Sequence, residues 1–228
     1  MKTIRITKIV AAILAGFGAQ EHASAQLIIN DTLTGASSSY NWSSLNGACL
    51  TAGNGSGTIP KCVGLPYYSG RILVGGVTGR LPDPVGRGAL RLTNGDVMDG
   101  GSNGDGQTGA VVSNFTFPTN QGLNVTFTTA TYGGDNLNGH GADGISFYLM
   151  DGSLPTSVGA LGGSLGYSCS NGNGTYDGVT GGYIAIGIDE FGNFSNPGDN
   201  TDTGPGFSAG RISIRGAGDT AWQSLSIK

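Results

Sequence analysis

The residues in this chain whose types and spacing could do chemistry are carboxylates and amides placed just outside two apolar runs. One group is Asp143, which precedes the run ISFYL at 145–149. The other is Asp189, Phe191, Asn193, Asn196 and Asp199, which follow YIAIGI at 183–188. Carboxylate, amide and main-chain carbonyl oxygens crowded into one short loop are what a hard cation such as Ca²⁺ requires. Residues 183–189 alternate strictly: Ile184, Ile186 and Ile188 fall on one side, and Tyr183, Ala185, Gly187 and Asp189 on the other. Side chains along a strand alternate between faces, so Asp189 should emerge at a strand end on the small-residue face.

The elements that must position these groups read as strands. Apolar or alternating runs occur at 27–33, 89–93, 110–117, 123–129, 145–149, 183–189, 210–215 and 224–228. In 123–129, Leu123, Val125 and Phe127 alternate with polar residues as a half-solvated antiparallel strand should. Short strands separated by turn residues, in a chain with 44 glycines and no helical period, predict an all-β sandwich or jelly roll. Residues 34–63 form a long Gly/Ser/Asn-rich excursion in which Trp42 is expected to be a buried anchor. Residues 95–109 read as a loop, and His140 as an exposed loop residue.

Composition narrows the function classes. Fifteen acidic against eleven basic residues, a net charge of −4, argue against a nucleic-acid footprint, which needs clustered Lys and Arg. Lys2, Arg5 and Lys8, an apolar run over 9–17 and Ala23-Ser24-Ala25 read as a secretory signal peptide over residues 1–25. The apolar run is shorter than the roughly 20 residues that span a bilayer, and no later segment predicts a membrane span. Residues 26–228 then form one exported domain, secreted or held in the cell envelope. Export permits disulfides; Cys49 and Cys62 enclose a small-residue loop and are the expected pair, leaving Cys169 over. Three scattered cysteines and two histidines do not have zinc-ligand spacing.

Three motifs in order make a resemblance specific. Ala142-Asp143-Gly144 opens a strand, Gly162-Gly163-x-Leu165-Gly166 follows, and Ala185-Ile186-x-Ile188-Asp189-x-Phe191-x-Asn193 comes last. From about residue 27 onward the chain resembles the legume-type (L-type) lectins, in particular the bacterial members. The resemblance implies a concanavalin A-like antiparallel β-sandwich that binds glycans or glycoconjugates over a Ca²⁺ ion and performs no catalysis. By it, Asp143 accepts hydrogen bonds from two sugar hydroxyls, and a backbone N–H of Gly162 or Gly163 donates to the sugar. Asn193 ligates Ca²⁺ and donates its amide, and Phe191 or Phe194 stacks on the ring. The Ca²⁺ ligands it implies are Asp189, the main-chain oxygen of Phe191, Asn193 and Asp199. It also implies a cis peptide at Ala142–Asp143.

The chain departs from that pattern in two ways. Two-metal members carry a Glu where this chain has Gly187, and a His where it has Arg211, so no Mn²⁺ is expected and the Arg211 guanidinium is expected near Asp189. Family domains also continue beyond the position of Lys228, so the C-terminal strands are expected to be missing and the domain incomplete. Glycoside hydrolases of the fold carry Glu-x-Asp-x-Glu on the central strand; the corresponding residues here are Gly187, Asp189 and Phe191, which removes nucleophile and acid. A structural or adhesin domain without sugar binding is the other reading.

Overall fold

The computed structural model describes residues 28–67, 71–72, 75–93, 107–118, 120, 122–132, 136–137, 139–170, 177–195 and 205–217. Among these the regular elements are strands in small antiparallel sheets, plus a 3-10 turn at Gly162–Ser164. In chain order the strands are β1 (Trp42–Leu45), β2 (Cys49–Leu50), β3 (Pro66–Tyr67), β4 (Arg71–Ile72), β5 (Leu90–Arg91), β6 (Ala110–Ser113), β7 (Asn136–Leu137), β8 (His140–Gly141), β9 (Gly144–Met150), β10 (Gly182–Asp189) and β11 (Arg211–Arg215). The described residues are therefore all-β in character. No helix among the described residues is long and apolar enough to cross a membrane.

The sheet that matters for the site has the order β11-β10-β9, with β10 central. Asp189 lies between Gly144 on β9 and Arg211 on β11, and Ala185 lies between Tyr148 and Arg215. The expected alternation is present over 184–189, and its small-residue face is the one that is covered; Tyr183 departs from it, 58% exposed at a register shift between Gly182 and Ile184. Ala185 is 0% exposed and Asp189 1%, because Ala185 and Gly187 leave room for the rings of Tyr167 and Phe194 to close on the sheet. Tyr148, Met150 and Leu165 complete this cluster. Burying a ring of that size contributes about 1.5–3 kcal/mol. Hydrogen bonds from Tyr167 Oη to Gly216 O (2.7 Å) and from Ser146 Oγ to Leu165 O (2.8 Å) tie the covering loops to the strands.

The opposite face carries the isoleucines. Ile214 is 66% exposed and Ile212 49%, and the ring of Phe127 lies 6.2 Å from that of Phe147 on this side. A second, smaller region is organised by the excursion. There β1 pairs with β6 and β2 with β5, and the Cys49–Cys62 disulfide is formed and packed by Leu65 and Leu81. Cys169 is a buried thiol. Trp42 is half-buried rather than buried, its indole N–H donating to Ser38 Oγ at 2.9 Å.

Several strand expectations need correction. Residues 28–33 form no strand: Asp31 accepts hydrogen bonds from Leu33 N–H (2.8 Å) and the Ser38 hydroxyl (2.5 Å). Such local side-chain bonds compete with a ladder. Residues 123–129 also carry no strand pairing, and Leu123, Val125 and Phe127 are each about two-fifths exposed. Alternation makes a segment suited to a sheet, but a strand exists only where another backbone pairs with it. The run at 89–93 contracts to Leu90–Arg91, and the one at 110–117 to Ala110–Ser113, beyond which Ser113 Oγ takes the Phe115 N–H. Residues 1–27, 94–106, 196–204 and 218–228 lie outside the described residues. With them go the segment read as a signal peptide, most of the 95–109 segment read as a loop, Asn196, Asp199 and the run at 224–228.

Candidate functional site

The site is built where β9 begins and β10 ends. The Asp143 carbonyl accepts two backbone N–H groups from the far side of β10, Glu190 at 2.9 Å and Phe191 at 3.1 Å. Gly144, at φ 147°, lets the strands approach closely here: a Cβ on it would stand 3.2 Å from the Asp189 Cα and nearer still to the Ile188 carbonyl. The Ala142–Asp143 peptide is cis. Asp143 and Asp189 are thereby brought close enough for their charges to interact.

The loop after β10 is wrapped round the Asp189 carboxylate. Its Oδ1 accepts the Gly192 N–H and its Oδ2 the Phe194 N–H, both at 2.7 Å. Burial pushes the Asp189 carboxyl above the ordinary range, opposed by the N–H groups of Gly192, Phe194 and Asn193 and by the nearby Arg211 guanidinium. Arg211 also donates from Nη1 to Ser195 Oγ at 3.5 Å. The arginine is thus near Asp189, as its sequence position predicts. Glu190 points the other way and accepts from the Thr131 hydroxyl at 3.0 Å.

This loop delivers Asn193 to Asp143. The Asn193 side chain stands near the Asp143 carboxyl, whose pKa is raised by burial and by the Asp189 charge and lowered by the neighbouring amide. The carboxamide lies directly over Gly163: a Cβ there would sit 2.5 Å from Asn193 Oδ1 and closer still to Cγ and Nδ2. Only glycine leaves that space. Asp143, Gly163 and Asn193, read from three separate motifs, therefore meet. Gly162, at φ 71°, opens the 3-10 turn and accepts the Leu165 N–H at 2.9 Å.

The aromatic residues divide. Phe194 is 0% exposed and lies over Gly187, so it is a core residue and not a surface for stacking. Phe191 is half-buried, and its ring meets Phe207 edge-on with centroids 5.3 Å apart. Phe207 is 55% exposed and was not singled out from the sequence. It sits on a strap stitched along the loop by backbone bonds from Gly206 N to Ser195 O, Ser208 N to Gly192 O and Gly210 N to Glu190 O. No side-chain pattern announces such a strap.

Among the described residues no group of three or more His, Cys, Asp or Glu side chains is arranged to hold a metal ion. The oxygens that suit a hard cation are nonetheless identifiable. Asn193 Oδ1 is buried and has no hydrogen-bond partner, an uncommon state for an acceptor. It stands beside the Asp143 carboxyl, which burial and the Asp189 charge both disfavour in its ionised form. Gly187 offers no side-chain ligand at this end of the strand, and Arg211 brings a positive charge there. No family model matches the chain, and neither a curated protein nor a solved structure matches it.

Proposed function

We propose that this chain is a non-enzymatic carbohydrate-binding domain that resembles bacterial L-type lectins and acts outside the cytoplasm. The observation that carries the reading is the convergence of Asp143, Gly163 and Asn193 at one end of β9–β10. A pyranose presents neighbouring hydroxyls that both donate and accept. The Asp143 carboxylate supplies acceptors only, and the neighbouring Asn193 amide supplies N–H donors. A backbone N–H of Gly162 or Gly163 is the third contact. Phe191, backed by the edge of Phe207, offers an apolar surface to the C–H face of a ring.

Asn193 Oδ1, Asp189, the Phe191 carbonyl and Asp199 are the residues that would hold Ca²⁺, which supplies charge compensation for the two carboxyls. In this reading the β11-β10-β9 sheet belongs to a concanavalin A-like sandwich, and no Mn²⁺ is bound. The partners are glycans or glycoconjugates. Two adjacent carboxyls with raised pKa values would also suit glycoside hydrolysis. Asp189 weighs against that alternative, because at 1% exposure its carboxylate is enclosed by loop N–H groups and cannot reach a glycosidic bond. A glycan array in Ca²⁺ buffer tests the proposal. Wild type should retain a defined set of sugars and Asp143→Ala none, with no reducing ends released from polysaccharides. A folded wild-type protein that retains nothing refutes it.

A further inference from the structure

We infer that the turn at 189–195, which presents Asn193, is assembled by Phe194 and Arg215 and keeps its shape without a bound cation. Three features carry this. The Phe194 ring is fully buried in the space that Gly187 leaves open, where a Cβ would come within 2.6 Å of Cε1 and closer to Cδ1. The Arg215 guanidinium donates from Nη1 to the Phe194 carbonyl at 2.6 Å and lies over the same ring, 5.5 Å from its centroid. The Asp189 carboxylate takes the Gly192 and Phe194 N–H groups, so the turn's inward donors already have an anionic acceptor.

Arg215 is held on β11 opposite Ala185, so the clamp is anchored in the ladder of the sheet. One side chain thus pins both the carbonyl and the ring of the residue next to Asn193. Phe194 and Arg215 are positioning residues for Asn193, and neither is placed to touch the sugar. A cation on Asn193 Oδ1 then adds affinity to a turn that is already formed. The statement about affinity rests on the carbohydrate reading above; the statement about the turn does not.

Amide hydrogen exchange on the exported chain, read by NMR in EDTA and in Ca²⁺, tests the turn directly. The Gly192 and Phe194 amides of the wild type should be protected in EDTA, with protection changing less than about threefold when Ca²⁺ is added. In Arg215→Gln the same two amides should exchange at least about tenfold faster in EDTA, while ladder amides such as Ile186 keep their protection. Wild-type amides that exchange freely in EDTA and become protected only in Ca²⁺ overturn the inference, whatever the variant does. So does an Arg215→Gln protein whose two amides stay fully protected. A parallel sugar titration separates the two proposals. Protected amides in a protein that binds no sugar would refute the carbohydrate reading and support this one.

Discussion

Replacing Gly163 with alanine should disable the site while leaving the fold in place. The Gly163 backbone does not lie in the left-handed region, so alanine is conformationally acceptable. The added methyl, however, would sit 2.5 Å from Asn193 Oδ1 and nearer to Cγ and Nδ2, where ordinary contact begins at 3.4 Å. An overlap of about an ångström against a carboxamide cannot be absorbed by small adjustments, so the Asn193 side chain must swing out. It then no longer offers its amide beside the Asp143 carboxyl. Removing one partner of a buried hydrogen bond to a ligand costs about 1–3 kcal/mol. At 1.4 kcal/mol per tenfold, that is a loss of about 5- to 140-fold in affinity for any ligand that uses both residues. Titration calorimetry with a sugar chosen from the array measures it, and a thermal melt checks the fold. The melt should move little, because Phe194, Tyr167 and Ala185 are untouched. A Gly163→Ala protein that binds within about twofold of wild type would refute the reasoning.

Other perturbations separate the parts of the site. Asp189→Asn replaces one of two acceptor oxygens with a donor, leaving the Gly192 or Phe194 N–H unsatisfied; calorimetric melting should show about 1–3 kcal/mol of lost stability. Phe207→Ala should weaken sugar binding by about 0.5–1.5 kcal/mol with an unchanged melt, since the ring is 55% exposed and meets the ring of Phe191. Reducing the Cys49–Cys62 disulfide, which closes a loop of separation 13, should cost about 3 kcal/mol in chemical denaturation. The pH dependence should have two opposite signs in EDTA. Asp143 and Asp189 are both raised in the folded chain, so the native state holds protons that the unfolded chain has released. Their contribution to stability should therefore grow as pH falls through the raised values and level off near the ordinary Asp range, about 3.9. Sugar affinity should fall over the same window, because protonated Asp143 loses acceptor capacity. Melts and titrations at matched pH values check both.

The convergence of Asp143, Gly163 and Asn193 was legible in the sequence because it is local to strand ends. Strict alternation in 183–189 was enough to put Asp189 on the small-residue face, and the spacing to Asn193 was enough to put an amide one turn later. What alternation could not tell was which face is covered. Isoleucines suggest burial, yet the small residues won, because Ala185 and Gly187 admit whole aromatic rings and the isoleucine face is left at up to 66% exposure. Phe194 was open as a stacking residue for the same reason: nothing in FGNFS says which phenylalanine faces Gly187. Leu123, Val125 and Phe127 have the pattern of a strand without the pairing. The segment 28–33 is no strand because Asp31 takes up local donors, and the run at 89–93 shrank to two residues, the Ala89 N–H going to Thr51 Oγ1. Phe207 and Arg215 act through backbone stitching and a cross-strand reach, which leave no motif.

The central claim is that Asp143 and Asn193 hold one sugar ring between them. A crystal structure of the protein with the strongest ligand from the array tests it most directly. The account predicts a single pyranose whose neighbouring hydroxyls lie within about 2.5–3.2 Å of both the Asp143 carboxylate and the Asn193 amide nitrogen. A ligand bound elsewhere on the chain, or one touching only one of these two side chains, contradicts it.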